Sequence, residues 1–409
     1  MIAISDLQLY NDPKTMEHIH SLAFNRTASS TGETEALSYI EKELIESNIS
    51  SEVEHFNWTG PLKILMRTSY LLILIILIAF RLLLIVVTYF IIKNSFRRLR
   101  EISFIRNDES KNIFTLIKAK ERTPKRPLVI ITAHYDNISA NIPYRVQVII
   151  FFIYRLIIFF YGAVFLVFVS IFFLDFLRII LFTDFLIIFI AFLSVGGVFI
   201  SIPILYLVFR ERPSTGSIDN ASGVAISIEL AKLFNKHPLE NMDVLILWCG
   251  AEEWGMKGSK KFCEAHFRSL KEKYDLKKSF NINIDMVGTY IGLLNKSGLF
   301  RKRMNRDLNE IFGATANQLN IPIRIYNRLI KPKSDYKPFV QYGKKISSKF
   351  PVVYFHSSKD SKYIHSIKDS PDKCSLENLN GCVNICHQAL RSIDMRIEGV
   401  KKSQITYAV

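Results

Sequence analysis

The chain has 409 residues, 49% of them hydrophobic and 22% charged, with a formal net charge of +16 at pH 7. That balance excludes a largely disordered chain, which would hold too little apolar side chain to bury, and 17 Gly with 5 Cys exclude collagenous and disulfide-scaffold classes. The 31 Phe point instead to very large apolar surfaces.

In chain order, Thr31 to Ser47 has a helical pattern, with Ala36, Tyr39, Ile40, Leu44 and Ile45 at helical spacings and Glu33, Glu35, Glu41 and Glu43 on the other faces. Ser51 to Trp58 and Asn112 to Ile117 read as short strands. Between them, Tyr70 to Ile92 is a 23-residue run whose only charge is Arg81. At ~1.5 Å per residue it is long enough to cross a ~30 Å hydrocarbon core. Pro127 to Thr132 is a continuous apolar run of the buried parallel-strand kind, ending at Ala133-His134-Tyr135-Asp136. A second apolar stretch, Val148 to Phe209, is divided by Asp175 to Arg178 into arms at 148–174 and 179–209, each long enough to span with some tilt. Asp219-Asn220-Ala221-Ser222-Gly223 then opens a helix whose apolar face includes Val224, Ile228, Leu230, Ala231 and Leu233. Asp243 to Trp248 is an apolar strand that ends at Cys249-Gly250-Ala251-Glu252-Glu253. Phe280 to Ile284 is another, ending at Asp285, and Pro351 to Phe355 is the last before a polar loop that contains His365.

Strands separated by helices predict an α/β fold with a mostly parallel, mixed sheet flanked by helices on both faces. The apolar stretches predict inserted transmembrane helices. One catalytic unit is then expected in three pieces, 1–63, 97–147 and 210–409, interrupted by insertions at 64–96 (membrane segment 70–92) and 148–209. Met1 to Glu54 lacks the apolar region of a secretion signal. Lys63, Arg67, Lys93, Arg97, Arg98, Arg100, Arg145, Arg210 and Arg212 flank the apolar stretches, as cytoplasmic loops do. The expectation is an integral membrane protein with its catalytic domain on the cytoplasmic side and the lipid bilayer as a partner. For both halves of the unit to share that side, the first run must turn back near Arg81 or lie tilted in the interface. An odd cysteine count agrees with reduced thiols. Asn137 and Asn220 begin tripeptides of the glycosylation pattern, which read as chance matches. The basic excess lies around the membrane flanks and in Lys257 to Lys278, no nucleic-acid motif accompanies it, and nucleic acid is not expected as a partner.

His134, Glu252, Glu253 and Asp285 each fall just past the C-terminal end of a predicted strand, where open α/β sheets bind ligands. Asp219 lies at a predicted helix start and His365 in the loop after the last strand. Two imidazoles and several carboxylates in one cleft form a mixed N/O ligand set for borderline divalent metals, Zn²⁺ first. With two ions ~3.5–4 Å apart, one carboxylate would bridge and another could stay off the metals as a base. Cys374, Cys382 and Cys386 lack a recognised zinc-finger spacing, and a helix with Cys382 and Cys386 on one face accounts for them better. His266 and His356 read as structural or surface residues.

The ordered set His134-Tyr135-Asp136, Asp219-Asn220-Ala221-Ser222-Gly223-Val224, Glu252-Glu253-Trp254-Gly255-Met256-Lys257-Gly258-Ser259, Asp285-Met286-Val287-Gly288 and Tyr363-Ile364-His365 closely resembles the M28 family of di-zinc aminopeptidases. Arg26 to Glu33 looks like that family's N-terminal segment. Ser334 to Phe339 resembles its late loop, with Tyr336 where the family more often has His. The resemblance implies a zinc-exopeptidase-like three-layer sandwich and two Zn²⁺ bridged by Asp219. It assigns His134 and Glu253 to one metal, Asp285 and His365 to the other, and it makes Glu252 the general base. Asp136 would hold the His134 imidazole from outside the ligand sphere. The implied activity is removal of the N-terminal residue from a peptide with a free N-terminus, by attack of zinc-activated water. An inactive scaffold would lack ligands, whereas all six expected positions are filled. A glutaminyl-cyclase-like enzyme would keep a single zinc, and a carboxypeptidase remains open on the same fold.

Overall fold

The chain is described from a computed structural model over residues 9–59, 68–69, 71–72, 108–138, 144–176, 183–209, 214–298, 302–329, 332–345 and 350–406. Its strands are β1 (Glu52–Trp58), β2 (Asp108–Ile117), β3 (Leu128–His134), β4 (Asp243–Cys249), β5 (Phe280–Ile284), β6 (Ile291–Ser297), β7 (Lys302–Arg303), β8 (Ile323–Arg328) and β9 (Val352–Phe355). They join one sheet in the order β1-β2-β4-β3-β5-β9-β6-β7, with β8 paired to β6. The centre, β4-β3-β5-β9, is parallel. Antiparallel pairs flank it, β2 on β4 and β6 on β9. Every residue of β3, β4, β5 and β9 is buried, which is why these segments read as unbroken apolar runs rather than alternating ones.

A strand without a polar face needs cover on both sides. The helices are α1 (Lys14–Ser21), α2 (Thr31–Glu46), α3 (Tyr144–Phe176), α4 (Thr183–Phe209), α5 (Ser222–Lys236), α6 (Lys257–Lys273), α7 (Arg306–Gln318), α8 (Tyr336–Lys345) and α9 (Leu376–Thr406). On one face α6 and α8 bring Phe262, Phe267 and Phe339 against Leu128 and Ile130 of β3 and Leu245 and Leu247 of β4. Burial of each such side chain is worth about 1.5–3 kcal/mol. Strand alternation sends Val129 and Ile131 to the opposite face, where α5 packs on β3 and carries α1, α2 and α9. Ser30 caps α2 by accepting from Glu33 N, while the Glu33 carboxylate accepts from Ser29 N. The expected layered α/β architecture is therefore present.

The chain forms two compact units, one of Met1–Phe56, Glu109–Ser139 and Pro213–Val409, the other of Asn57–Asp108 and Ala140–Arg212. Helices α3 and α4 lie in the second and pack on each other. They occupy the longer apolar stretch, but the expectation of transmembrane helices, and with it of an integral membrane protein facing the cytoplasm, is overturned. Among the described residues no helix is long and apolar enough to cross a membrane. Phe152, Phe159, Phe192 and Phe199 are exposed on these helices, an apolar face of the kind that marks a contact surface, and nothing described shows what covers it. The shorter apolar run at 70–92 lies outside the described residues except for 71–72, and so does the expected turn near Arg81.

The five cysteines are buried and unpaired, with Cys382 and Cys386 on α9 as the helical reading expected. Asn137 and Asn220 are buried and hydrogen-bonded to backbone carbonyls, which leaves no room for a glycan.

Candidate metal centre

The parallel centre of the sheet sets the site. β3 lies between β4 and β5, so His134 at its end stands between the Cys249–Glu253 turn and Asp285. Asp219 arrives on the segment before α5, with a non-helical backbone of φ −117° and ψ 87°. It therefore precedes the helix rather than starting it. Gly223, the second residue of α5, lets the helix approach β5, because a Cβ there would lie 2.4 Å from the Ile284 carbonyl oxygen. Ala251, Met286 and His365 adopt left-handed backbone conformations, at φ of 51°, 70° and 55°. Such positions are strained for residues with a Cβ and gather at functional sites.

The predicted ligands converge. His134 Nε2 lies 3.2 Å from Asp219 Oδ1 and 3.5 Å from Asp285 Oδ1. His365 Nε2 lies 3.3 Å from Asp219 Oδ2 and 3.0 Å from Glu253 Oε1. Two triads result, His134–Asp219–Asp285 and Asp219–Glu253–His365, each with its ligand atoms within 4.8 Å of one another. Asp219 offers one oxygen to each. The grouping differs from the expected one: Asp285 stands with His134 and Glu253 with His365. The reason is spatial, since the β5 end adjoins the β3 end, while the long loop after β9 carries His365 across to the β4 turn.

Asp136 does more than expected. Its carboxylate lies 3.6 Å from His134 Nδ1 and its backbone carbonyl 3.1 Å from the same nitrogen, while the carboxylate also accepts from Glu252 N at 2.9 Å and Glu253 N at 3.2 Å. Asp136 thus shapes the turn that presents both glutamates.

Carboxylates outnumber imidazoles in this buried place, and the protein offsets the excess with protons. Burial alone would lower the His134 and His365 pKa values, yet the surrounding carboxylates hold both well above the usual range. Burial raises Glu252 well above its usual value and Glu253 to about 7. Asp219 goes the other way: burial opposes ionisation, but hydrogen bonds to His134 and His365 keep it ionised. Glu253 Oε1 is buried without a hydrogen bond although His365 Nε2 is close by. Two metal-ligating atoms 3.0 Å apart fit a shared cation, as does the surplus of negative charge.

The sequence did not reveal the supports behind these ligands. Asp369 accepts from Ile218 N at 2.6 Å and Asp219 N at 3.2 Å. Arg26, fully buried, donates to the carbonyls of Tyr135, Thr215 and Gly216 and so fixes the segment leading to Asp219. Tyr354 and His356 on and after β9 both reach Asp285. A hydroxyl inside the otherwise apolar Val-Val-Tyr-Phe strand was the one legible signal for Tyr354. His356, expected as structural or surface, is buried, and His266 is partly exposed beside Glu54.

Residues 200–390 match the family model of Peptidase family M28. Aminopeptidase YwaD of Bacillus subtilis (strain 168) is 34% identical over 76 residues, which span 19% of this chain and only 16% of that protein's length. A zinc aminopeptidase from Bacillus subtilis shares the fold at a TM-score of 0.54 and 14% identity, covering 94% of this chain and 96% of that one. Fimbriiglobus ruber glutaminyl cyclase shares it at 0.56 and 13% identity, covering 94% and 97%. At these identities the structural likenesses speak for the fold. Together with the family match they establish the resemblance read from the motifs: this chain resembles the hydrolases of peptidase family M28.

Proposed function

We propose that the chain is a zinc-dependent aminopeptidase, hydrolysing the N-terminal peptide bond of a peptide with a free amine. The observation that carries this reading is the pair of ligand triads sharing Asp219, with Glu252 buried beside them. His134, Asp219 and Asp285 would hold one zinc, and Asp219, Glu253 and His365 a second. Zinc in such a ligand set supplies Lewis acidity and a nucleophilic water at neutral pH.

The chain's own residues supply the remainder. Glu252 is the general base: its carboxylate takes the proton of the attacking water and returns it to the leaving amine nitrogen. Its burial disfavours the charged form and keeps its proton affinity high, which suits both steps. Asp136 fixes the backbone of Glu252 and so its reach into the site.

A panel of aminoacyl reporter substrates, assayed on wild type and Glu252→Gln, tests the reading. Turnover by the wild type and its loss in the variant by a factor of about 10² or more are expected. An unaffected variant overturns the assignment of Glu252. Because glutaminyl cyclases share the fold, the panel includes an N-terminal glutaminyl peptide. Release of ammonia with ring closure would favour cyclisation, whereas release of free glutamine supports the peptidase reading.

A further inference from the structure

The two carboxylate oxygens of Asp285 face different partners. Oδ1 lies 3.5 Å from His134 Nε2, on the side of the ligand cluster. Oδ2 accepts a hydrogen bond from the Tyr354 hydroxyl at 2.9 Å. Tyr354 is 1% exposed, so this contact is not shared with solvent. Its O–H is the donor of this bond, because a carboxylate oxygen only accepts.

The tyrosine is itself held. Its ring stacks on His356, with centroids 5.3 Å apart and planes at 9°, and meets Tyr336 on another side at 5.1 Å. The state of His356 follows from its neighbours. Arg328 Nη1, which only donates, lies 3.1 Å from Nε2, so Nε2 must accept and Nδ1 carries the hydrogen. Nδ1 faces the backbone carbonyl of Asp285 at 3.2 Å. One residue is therefore gripped twice, at its carbonyl by His356 and at its carboxylate by Tyr354.

We infer that Tyr354 is a positioning residue of the metal centre, engaging Asp285 Oδ2 so that Asp285 serves the cation shared with His134 and Asp219 through Oδ1 alone. This rests on the metal reading above. A free carboxylate can swing or bind through both oxygens, and a donor on one oxygen removes that freedom. The Tyr354 hydroxyl is directed to Asp285, which belongs to the first triad and not to the second. The two sites should then differ in their sensitivity to the tyrosine.

Tyr354→Phe keeps the ring and its stacking and removes only the hydroxyl. Zn²⁺ titration of chelator-stripped protein against a competing chromophoric chelator reads each binding step, and Co²⁺ absorption reads ligand geometry. One step should weaken by about 10–100-fold, the other should stay within about threefold, and the Co²⁺ bands of the weakened site should shift. Thermal unfolding of the metal-free variant should remain cooperative. Arg328→Met, which frees the His356 tautomer from the protein surface side, should weaken the same step by a smaller factor, and it carries the test if the phenylalanine variant does not fold. Both steps unchanged within about twofold, or both weakened alike, overturn the role of Tyr354. A wild-type chain that takes up no metal overturns the reading of the site itself, a distinguishable result.

Discussion

Replacing Asp136 by Asn probes how the glutamate turn is built. The carboxylate accepts two backbone N–H groups, from Glu252 and Glu253, at 2.9 and 3.2 Å in a fully buried position. An amide of the same shape has one acceptor and one donor. One N–H is left facing an NH₂ group, which costs about 1–3 kcal/mol, and the other bond loses its charge assistance, about 1 kcal/mol more. Removal of one negative charge from a carboxylate-rich site offsets part of this. The net expectation is a loss of about 2–3 kcal/mol in the metal-free protein, measured by urea unfolding in chelator. Peptide turnover should fall as well, because Glu252 loses its fixed backbone. A variant within about 0.5 kcal/mol of wild type, with turnover retained, would refute the assignment of Asp136 to the turn.

Arg26→Met removes a donor from the carbonyls of Leu22, Phe24, Tyr135, Thr215 and Gly216, and should destabilise by about 3–5 kcal/mol in the same unfolding assay. Gly292→Ala would place a Cβ 2.2 Å from the His356 carbonyl oxygen, backbone against backbone. It should cost at least about 1–3 kcal/mol in urea unfolding, and a neutral effect would contradict the close approach of β6 to that carbonyl. His387 is pushed down from 6.5 to about 4, by burial first and by Arg391 next. Between those values the unfolded chain binds the proton more tightly, so this histidine's contribution is complete above about 6.5 and is lost as pH falls toward 4. In His387→Gln, stability should therefore decline less steeply than in wild type across that window, and parallel stability–pH curves would refute it.

The central strands were legible because burial on both faces writes itself as unbroken apolar sequence, as in Leu-Val-Ile-Ile of β3. On one edge β1 and β2 were legible too, whereas β6, β7 and β8 on the other were not. β8 carries Arg324, Asn327 and Arg328 among its apolar residues, and only partial burial supports it. β7 has two residues and little pattern to read. His134, Glu252, Glu253 and Asp285 were legible for the same reason as the strands, since each stands just past the end of an apolar run, whereas Asp219 and His365 came from a helix start and a loop. Their pairing was not, because spatial order in the sheet, β4-β3-β5-β9, differs from order along the chain. Asp136 shows the same limit: its place beside His134 suggested its contact with the ring, but not that its carboxylate would also accept from Glu252 N and Glu253 N. The apolar stretches misled by length alone, because a run of lipophilic residues reads alike in a membrane and in helices packed on each other.

Zinc stoichiometry by elemental analysis of the purified chain, compared across single ligand variants, tests the metal centre most directly. Two zinc ions per wild-type chain are predicted, with His134→Ala and Asp285→Ala losing one ion and His365→Ala and Glu253→Ala losing the other. A wild type without zinc, or a chain that keeps one zinc when His134→Ala is combined with Glu253→Ala and loses both when it is combined with Asp285→Ala, would contradict it.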